Sequence, residues 1–269
     1  MFNVQFLHVV REFELARIAS YLPPGARVLE IGGGSGYQAL RLGQLGFEVC
    51  AVDVAGSTYA ADMVFPVQIY DGKHLPFPDE SFDVVFSSNV LEHIREPGEV
   101  HREACRVLRP GGYCVHVVPT GAWRFWTNVT HYVEMMQRIG LALPDLLPRG
   151  ISRGELIRLL RSVSPLVRIM ERYLIVPRHG EHGNALSEIF SFSARRWRRE
   201  LQGQGFDILE VAPMGLFYTG NMVLGERLSL RYRQRIARVL GSACVLYRLS
   251  PHRPFGIRST ASINVPLAR

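Results

Sequence analysis

Val28-Leu29-Glu30-Ile31-Gly32-Gly33-Gly34-Ser35-Gly36-Tyr37-Gln38-Ala39 is the stretch on which the fold turns. Residues 27–31 read as a short buried strand, and residues 37–45 as a helix closed by Gly46. The glycines between them let backbone approach a ligand closely, and the helix start offers free N–H groups, so the turn reads as a nucleotide or anion cradle. Gly34-Ser35-Gly36-Tyr37-Gln38-Ala39 fits the G-x-G-x-x-A dinucleotide fingerprint, with Asp53 placed 19 residues beyond Gly34 as a ribose-binding acid. A nicotinamide or flavin oxidoreductase is therefore one reading. Glu30 counts against it, because an acid at the end of the strand repels phosphates and suits a cofactor that carries a cation.

The same alternation continues outward. A helix is predicted over 4–21, ended by Pro23-Pro24-Gly25. Strands follow at 47–52, 67–70, 82–87 and 113–118, with a helix at 99–108 and a turn at Arg109-Pro110-Gly111-Gly112. Strands alternating with helices predict a doubly wound α/β fold around a mostly parallel sheet. After Pro119 the rhythm breaks into helical stretches at 131–139, 153–163 and 166–173. It resumes with a helix at 194–204, a strand at 206–211, an arginine-rich helix at 222–240 and a last strand at 243–249. The expected organisation is an N-terminal lid helix (1–22), a nucleotide-binding core (23–120), a helical acceptor-binding insertion (121–192) and a C-terminal completion of the core (193–269).

Composition narrows the class. Hydrophobic residues make up 47% of the 269 and charged residues 20%, which is globular and excludes a disordered or collagen-like chain. No run approaches the roughly 18–20 apolar residues a bilayer span requires, and the N-terminus lacks a cleavage signature, so a cytoplasmic protein is expected. Cys50, Cys105, Cys114 and Cys244 are scattered without a CxxC, as buried thiols in a reducing compartment would be. Charge is uneven: residues 1–120 carry 9 basic and 14 acidic side chains, residues 121–269 carry 22 and 10. A basic second half suits an anionic substrate, a membrane surface or nucleic acid.

Five motifs in order resemble the class I S-adenosylmethionine-dependent methyltransferases: residues 28–36, Asp53, Asp71-Gly72, the run 82–94, and Leu108-Arg109-Pro110-Gly111-Gly112. The resemblance covers residues 27–118 and implies a Rossmann-like sheet with an antiparallel last strand, a methyltransferase activity, and S-adenosyl-L-methionine as cofactor. It implies that Gly32, Gly34 and Gly36 pass under the methionine and ribose, and that Glu30 holds the loop and the amino group. Asp53, with Val54 beside it, would take the ribose hydroxyls, Asp71 and Gly72 the adenine, and Ser88 and Asn89 would line the pocket near the methyl.

No Asn-Pro-Pro-Tyr or Asp-Pro-Pro-Tyr follows the fourth strand, which points to the small-molecule branch and away from nucleic acid. Contacts to the acceptor are expected from residues outside the core. His93, His131, His179 and His182 are the candidate bases, since imidazole titrates near neutrality. Trp123, Phe125 and Trp126 are a candidate aromatic wall. His179-Gly180-Glu181-His182 lacks HExxH spacing, so no metal is expected.

The insertion and tail, with Gly215-Leu216-Phe217-Tyr218-Thr219-Gly220, loosely resemble methyltransferases of cell-surface polysaccharide synthesis. A sugar hydroxyl on a nucleotide or lipid carrier is the expected acceptor, with Arg172 and Arg178 as phosphate clamps. Alternatives are a C-methyltransferase acting on a quinone-like or lipid substrate and a non-catalytic nucleotide-binding module. Over 222–240 the wheel gathers Leu228, Tyr232, Ile236, Val239 and Leu240 beside Arg227, Arg231, Arg235 and Arg238, a pattern suited to packing on the sheet or to peripheral membrane contact.

Overall fold

The computed structural model describes residues 4–56, 63–142, 169–171, 173–221 and 225–252. Its elements in order are α1 (Val4–Ala19), β1 (Arg27–Ile31), α2 (Tyr37–Gln44), β2 (Glu48–Val54), β3 (Val67–Tyr70), β4 (Phe82–Ser88), α3 (Pro97–Val107), β5 (Leu108–Pro119) and α4 (Gly121–Ala142). They continue with α5 (Ser187–Ser191), α6 (Ala194–Gly203), β6 (Phe206–Pro213), α7 (Leu230–Leu240) and β7 (Cys244–Pro251). Seven strands form one sheet in the order β3-β2-β1-β4-β5-β7-β6. β1 to β5 run parallel, and β7 is antiparallel to both of its neighbours. This is the expected doubly wound, Rossmann-like sheet with an antiparallel last strand, β7, inserted between β5 and β6.

β1 and β4 are apolar on both faces because helices cover both sides, and Val28, Leu29, Val84, Val85 and Phe86 have no exposed surface. Strand order reverses between β1 and β4. Ligands of open α/β sheets bind at the carboxyl ends of the strands flanking such a reversal. α1 enters the core through Phe6, Val10, Leu15 and Ile18. Trp197 of α6 donates its indole N–H to Pro119 O at 3.0 Å, seating that helix beside the end of β5.

Three local expectations change. The turn expected at 109–112 lies within β5, which starts at Leu108 opposite Phe82 and shifts register before Val84 pairs with Tyr113. Asp83 ties this irregular stretch down by accepting from Arg27 N and from Arg109 Nη1, both at 2.8 Å. Secondly, a single helix of 22 residues, α4, contains the stretch expected at 131–139. The stretch at 153–163 and half of 166–173 lie outside the described residues.

Thirdly, the helix expected from 222 begins only at Leu230. Ser229 before it is extended (φ −63°, ψ 157°), and 225–227 form a separate 3-10 turn. Its inward residue is Arg233, which is 3% exposed, whereas Tyr232 is 58% and Val239 84% exposed. The Arg233 guanidinium donates to the carbonyls of Leu228, Phe217 and Gly225 and lies over the Phe6 ring, so hydrogen bonding allows a cation where an apolar residue was expected.

Candidate active site

The glycine loop after β1 is held from two sides. Gly32 and Gly33 N–H groups donate to Val52 O at the end of β2, and Gly34 N–H donates to Asp53 Oδ2 at 2.8 Å. Gly32, Gly34 and Gly36 all have positive φ, at 75°, 56° and 77°. A Cβ on Gly32 would stand 2.4 Å from Val90 Cγ2, so the loops after β1 and β4 touch at the reversal point and leave no room there for a side chain. Asp53 Oδ1 accepts from Val54 N. The same carboxylate thus shapes the loop and keeps lone pairs for hydroxyl donors.

Glu30 is 1% exposed, accepts one backbone N–H from Ala39, and leaves Oε2 without a partner. Burial pushes its carboxyl up to about 8, with the Asp53 charge adding to the effect. Asp71 is committed locally: Oδ1 accepts from Lys73 N and His74 N, and Oδ2 meets His74 Nδ1, all within 2.8 Å. These bonds hold its carboxyl well below the ordinary range. Gly72 follows with φ 81°.

At the end of β4, Ser88 is buried, and Asn89 just beyond it adopts φ 54°, a left-handed conformation asparagine tolerates. The Asn89 amide lies against Ser88, Cys244 and Arg11; with its oxygen turned to Arg11, it accepts from both terminal nitrogens at 2.7 and 3.1 Å. Arg11 in turn pairs with fully buried Glu14 at 2.8 Å, and Tyr218 donates to Glu14 at 2.9 Å. Residues 215–220, singled out in the tail, thus brace α1 against the start of β7.

The four histidines separate. His93 ends a 3-10 turn (Leu91–His93) directly after Asn89 and Val90, and the His179 ring packs 4.8 Å from it. Trp123 packs on His179 at 4.7 Å. Between the two histidines lies Glu92, its side chain fully buried and both oxygens unpartnered. His182 is exposed and faces Arg95 O at 3.3 Å. His131 is buried, with Nε2 at 3.1 Å from Tyr173 O. It lies two turns along α4 from Trp123, roughly 12 Å by helical rise. Phe125 and Trp126 pack on each other, and Trp126 meets Phe217, so only Trp123 of the proposed wall touches His179.

Sequence reasoning missed Glu92, Glu188 and Arg124. Glu188 accepts from the backbone N–H groups of His179 and Gly180, and its other oxygen lies 2.7 Å from Arg124 Nε. Glu181 N–H donates to Glu92 O at 3.0 Å, which lays the 179–181 segment along the turn after β4.

Residues 29–116 match a family model described as a methyltransferase domain. Over that span the chain is similar to the class I S-adenosylmethionine-dependent methyltransferases. An uncharacterized methyltransferase of Mycobacterium avium is 36% identical over 121 residues, 40% of this chain and 47% of that protein. A ubiquinone/menaquinone biosynthesis C-methyltransferase of Laribacter hongkongensis is 40% identical over 101 residues, 33% and 41% of the two chains. The chain spans about half the length of the curated relatives it matches. Among solved structures, a chain of the complex between the Haloferax volcanii Trm112 methyltransferase activator and a methyltransferase superposes with TM-score 0.51 at 16% identity, over 91% of each chain. That likeness concerns the fold.

S-adenosylmethionine, the cofactor this similarity implies, fits the residues present. A buried carboxylate with an unpartnered oxygen, one strand from Asp53, suits the ammonium of S-adenosylmethionine, and the glycine cradle leaves room for its backbone-facing atoms. With its carboxyl pushed up to about 8, Glu30 would be protonated at pH 6.5 and would ionise if it met that ammonium, so one proton is expected to be released per S-adenosylhomocysteine bound. Calorimetry in buffers of different ionisation enthalpy measures this, and Glu30→Gln is expected to release none. Since the folded carboxyl sits near 8 and the ordinary value is 4.5, the extra proton stabilises the folded state fully below pH 4.5. That contribution is lost as pH rises to about 8, so the ligand-free protein's Tm is expected to fall across this window.

Proposed function

We propose that this chain transfers a methyl group from S-adenosylmethionine to a hydroxyl of a small or carrier-linked acceptor, a sugar of a surface-polysaccharide precursor being the favoured class. The observation that carries this reading is the placement of His93 and His179 around buried Glu92, on the turn that leaves β4 beside the glycine loop. When bound, S-adenosylmethionine supplies a methyl on a sulfonium, open to in-line displacement. Glu30 would take the ammonium and Asp53 the ribose hydroxyls, with Asp71 and Gly72 beside the adenine and Ser88 and Asn89 near the methyl. Imidazoles at the end of β4 would receive the hydroxyl's proton, a step that C-methylation of an acidic carbon also needs. His182 and His131 are left to other contacts. Arg178 donates to Glu181 O, holding the loop, and Arg172 lies outside the described residues.

Calorimetric titration with S-adenosylhomocysteine and with NAD tests the cofactor. We expect one site for the former and none for the latter, with Asp53→Ala weakening binding roughly 10- to 150-fold, as losing charge-assisted hydrogen bonds of about 1.5–3 kcal/mol requires. Tight NAD binding would point instead to an oxidoreductase. Radiolabelled methyl transfer to a panel of nucleotide-linked sugars and demethylated quinols separates the acceptor classes. Label on a quinol ring carbon would overturn the oxygen assignment in favour of the chemistry named for the Laribacter relative.

Among the described residues, no helix is long and apolar enough to cross a membrane. α7 presents Arg231, Tyr232, Arg235, Arg238 and Val239 on one exposed stripe, which suits reversible contact with an anionic surface. Each arginine near such a surface contributes about 1 kcal/mol, screened by salt. Flotation with anionic vesicles at low salt is expected, and equal recovery with neutral vesicles would leave α7 without a membrane role.

A further inference from the structure

The turn after β4 and the 179–181 segment together carry an unassigned ligand set. Glu92 Oε1 lies 3.9 Å from His93 Nε2 and 3.8 Å from His179 Nε2, and one ligand atom from each residue falls within 4.8 Å of the others. At those distances neither imidazole hydrogen-bonds the carboxylate. Glu92 is fully buried with both oxygens unpartnered, an arrangement that is costly unless a cation meets it. The segment carrying His179 is fastened here by Glu188 and by the Glu181 N–H on Glu92 O, and a Cβ on Gly180 would stand 2.8 Å from that same carbonyl.

We propose that Glu92, His93 and His179 bind one divalent transition-metal cation, with zinc as the reference ion. Two imidazole nitrogens and one carboxylate oxygen favour zinc, iron or cobalt over calcium or magnesium, which prefer all-oxygen shells. Bonds of about 2.0–2.1 Å put tetrahedral ligand atoms roughly 3.4 Å apart. The two carboxylate–imidazole gaps then close by about half an ångström, and the widest separation by about 1.4 Å. Half-exposed His93 and His179 reach this by side-chain rotation, while Glu92 stays as the fixed point.

Three protein ligands leave at least one position open, the pattern of catalytic sites and not of structural ones. The exposed sides of the two imidazoles make that position accessible, two residues beyond the Asn89 turn. The metal site stands on this geometry alone. Its use rests on the methyltransferase reading and takes the place of the imidazole bases, whose nitrogens are then on the metal: an acceptor hydroxyl bound at the open position would lose its proton to solvent at neutral pH, leaving an oxygen nucleophile for the methyl. A ligand set split between 92–93 and 179 has no signature in the sequence, because its spacing is set by the fold.

The test uses tag-free full-length protein, stripped with chelator and dialysed. Titration with zinc is expected to show one site per chain with micromolar or tighter Kd, and cobalt to give the d–d absorption of a low-coordinate site. Glu92→Gln, His93→Ala and His179→Ala are each expected to weaken binding at least tenfold, and His182→Ala and His131→Ala to leave it unchanged. His93 is half-exposed, so its variant reports even if Glu92→Gln fails to fold. Absence of a stoichiometric site in the wild-type chain, or loss of binding only on replacing His182 or His131, overturns the proposal. S-adenosylhomocysteine titrated into the same metal-free protein separates the two ideas: cofactor binding without zinc uptake removes the metal site and leaves the methyltransferase reading standing, and the converse does the reverse.

Discussion

Gly32→Ala is expected to lower affinity for S-adenosylhomocysteine by about a hundredfold while the chain keeps its fold. Two separate costs meet at this position. The backbone has φ 75°, where an L side chain costs about 1–2 kcal/mol. A Cβ would also stand 2.4 Å from Val90 Cγ2 and 2.9 Å from Cγ1, and valine's stiff χ1 leaves it little room to turn away. Relieving such overpacking by backbone shifts costs about 1–3 kcal/mol. Together they come to about 2–5 kcal/mol, a range that brackets the roughly 2.7 kcal/mol of a hundredfold change. The loop answers by moving, and it carries the Gly34 N–H away from Asp53. Gly32→Ala with Val90→Ala removes the steric part and keeps the dihedral part, so roughly a 5- to 30-fold defect should remain. Calorimetry on both variants, with circular dichroism for the fold, checks this. A single variant that binds normally would show that the loop is not the cofactor cradle.

Local chemistry explains what the sequence made legible. Gly32, Asp53 and Asp71 each close a strand, so a strand pattern of buried residues and a terminal glycine or acid locates them without tertiary information. The parallel sheet follows from the alternation, while its strand order came only with the structure. Buried polar pairs were not legible in the same way, because their partners come from distant segments. Glu14 occupies the i+4 row of Phe6, Val10 and Ile18 in α1, where periodicity predicts an apolar residue. Its tolerance there depends on Arg11 beside it and on Tyr218, 204 residues away. Arg233 is the same case, an inward cation satisfied by carbonyls. In each, an ionic residue on a buried row was the available signal, and it names no partner. The end of α7 shows the opposite error: apolar residues on a wheel do not reveal whether a neighbour exists to cover them, and Val239 has none deep enough to bury it.

Arg124→Met is expected to destabilise the protein by about 3–5 kcal/mol, the loss found when one partner of a buried ion pair is removed. Arg124 and Glu188 are 3% and 0% exposed in their side chains, with Nε and Oε2 2.7 Å apart. Burial alone lowers the guanidinium's affinity for its proton, and Glu188 offsets that. Arg124 also donates to Pro177 O at 2.6 Å, so α4, the 177–181 segment and α5 are joined at one point. Methionine fills the space of the stem and leaves Glu188 with only the His179 and Gly180 N–H groups as donors. At about 2–4 °C per kcal/mol for a chain of this size, Tm should fall by roughly 6–20 °C. Adding Glu188→Gln should restore most of the loss, because the amide oxygen still accepts from both N–H groups and no charge is left buried. A fall below about 1 kcal/mol in the single variant would mean that water reaches Glu188. His179 would then not be held rigidly against Glu92. If instead the double variant recovers stability and also keeps its zinc affinity, the pair's role is to anchor the segment, and the charge itself contributes nothing to the site.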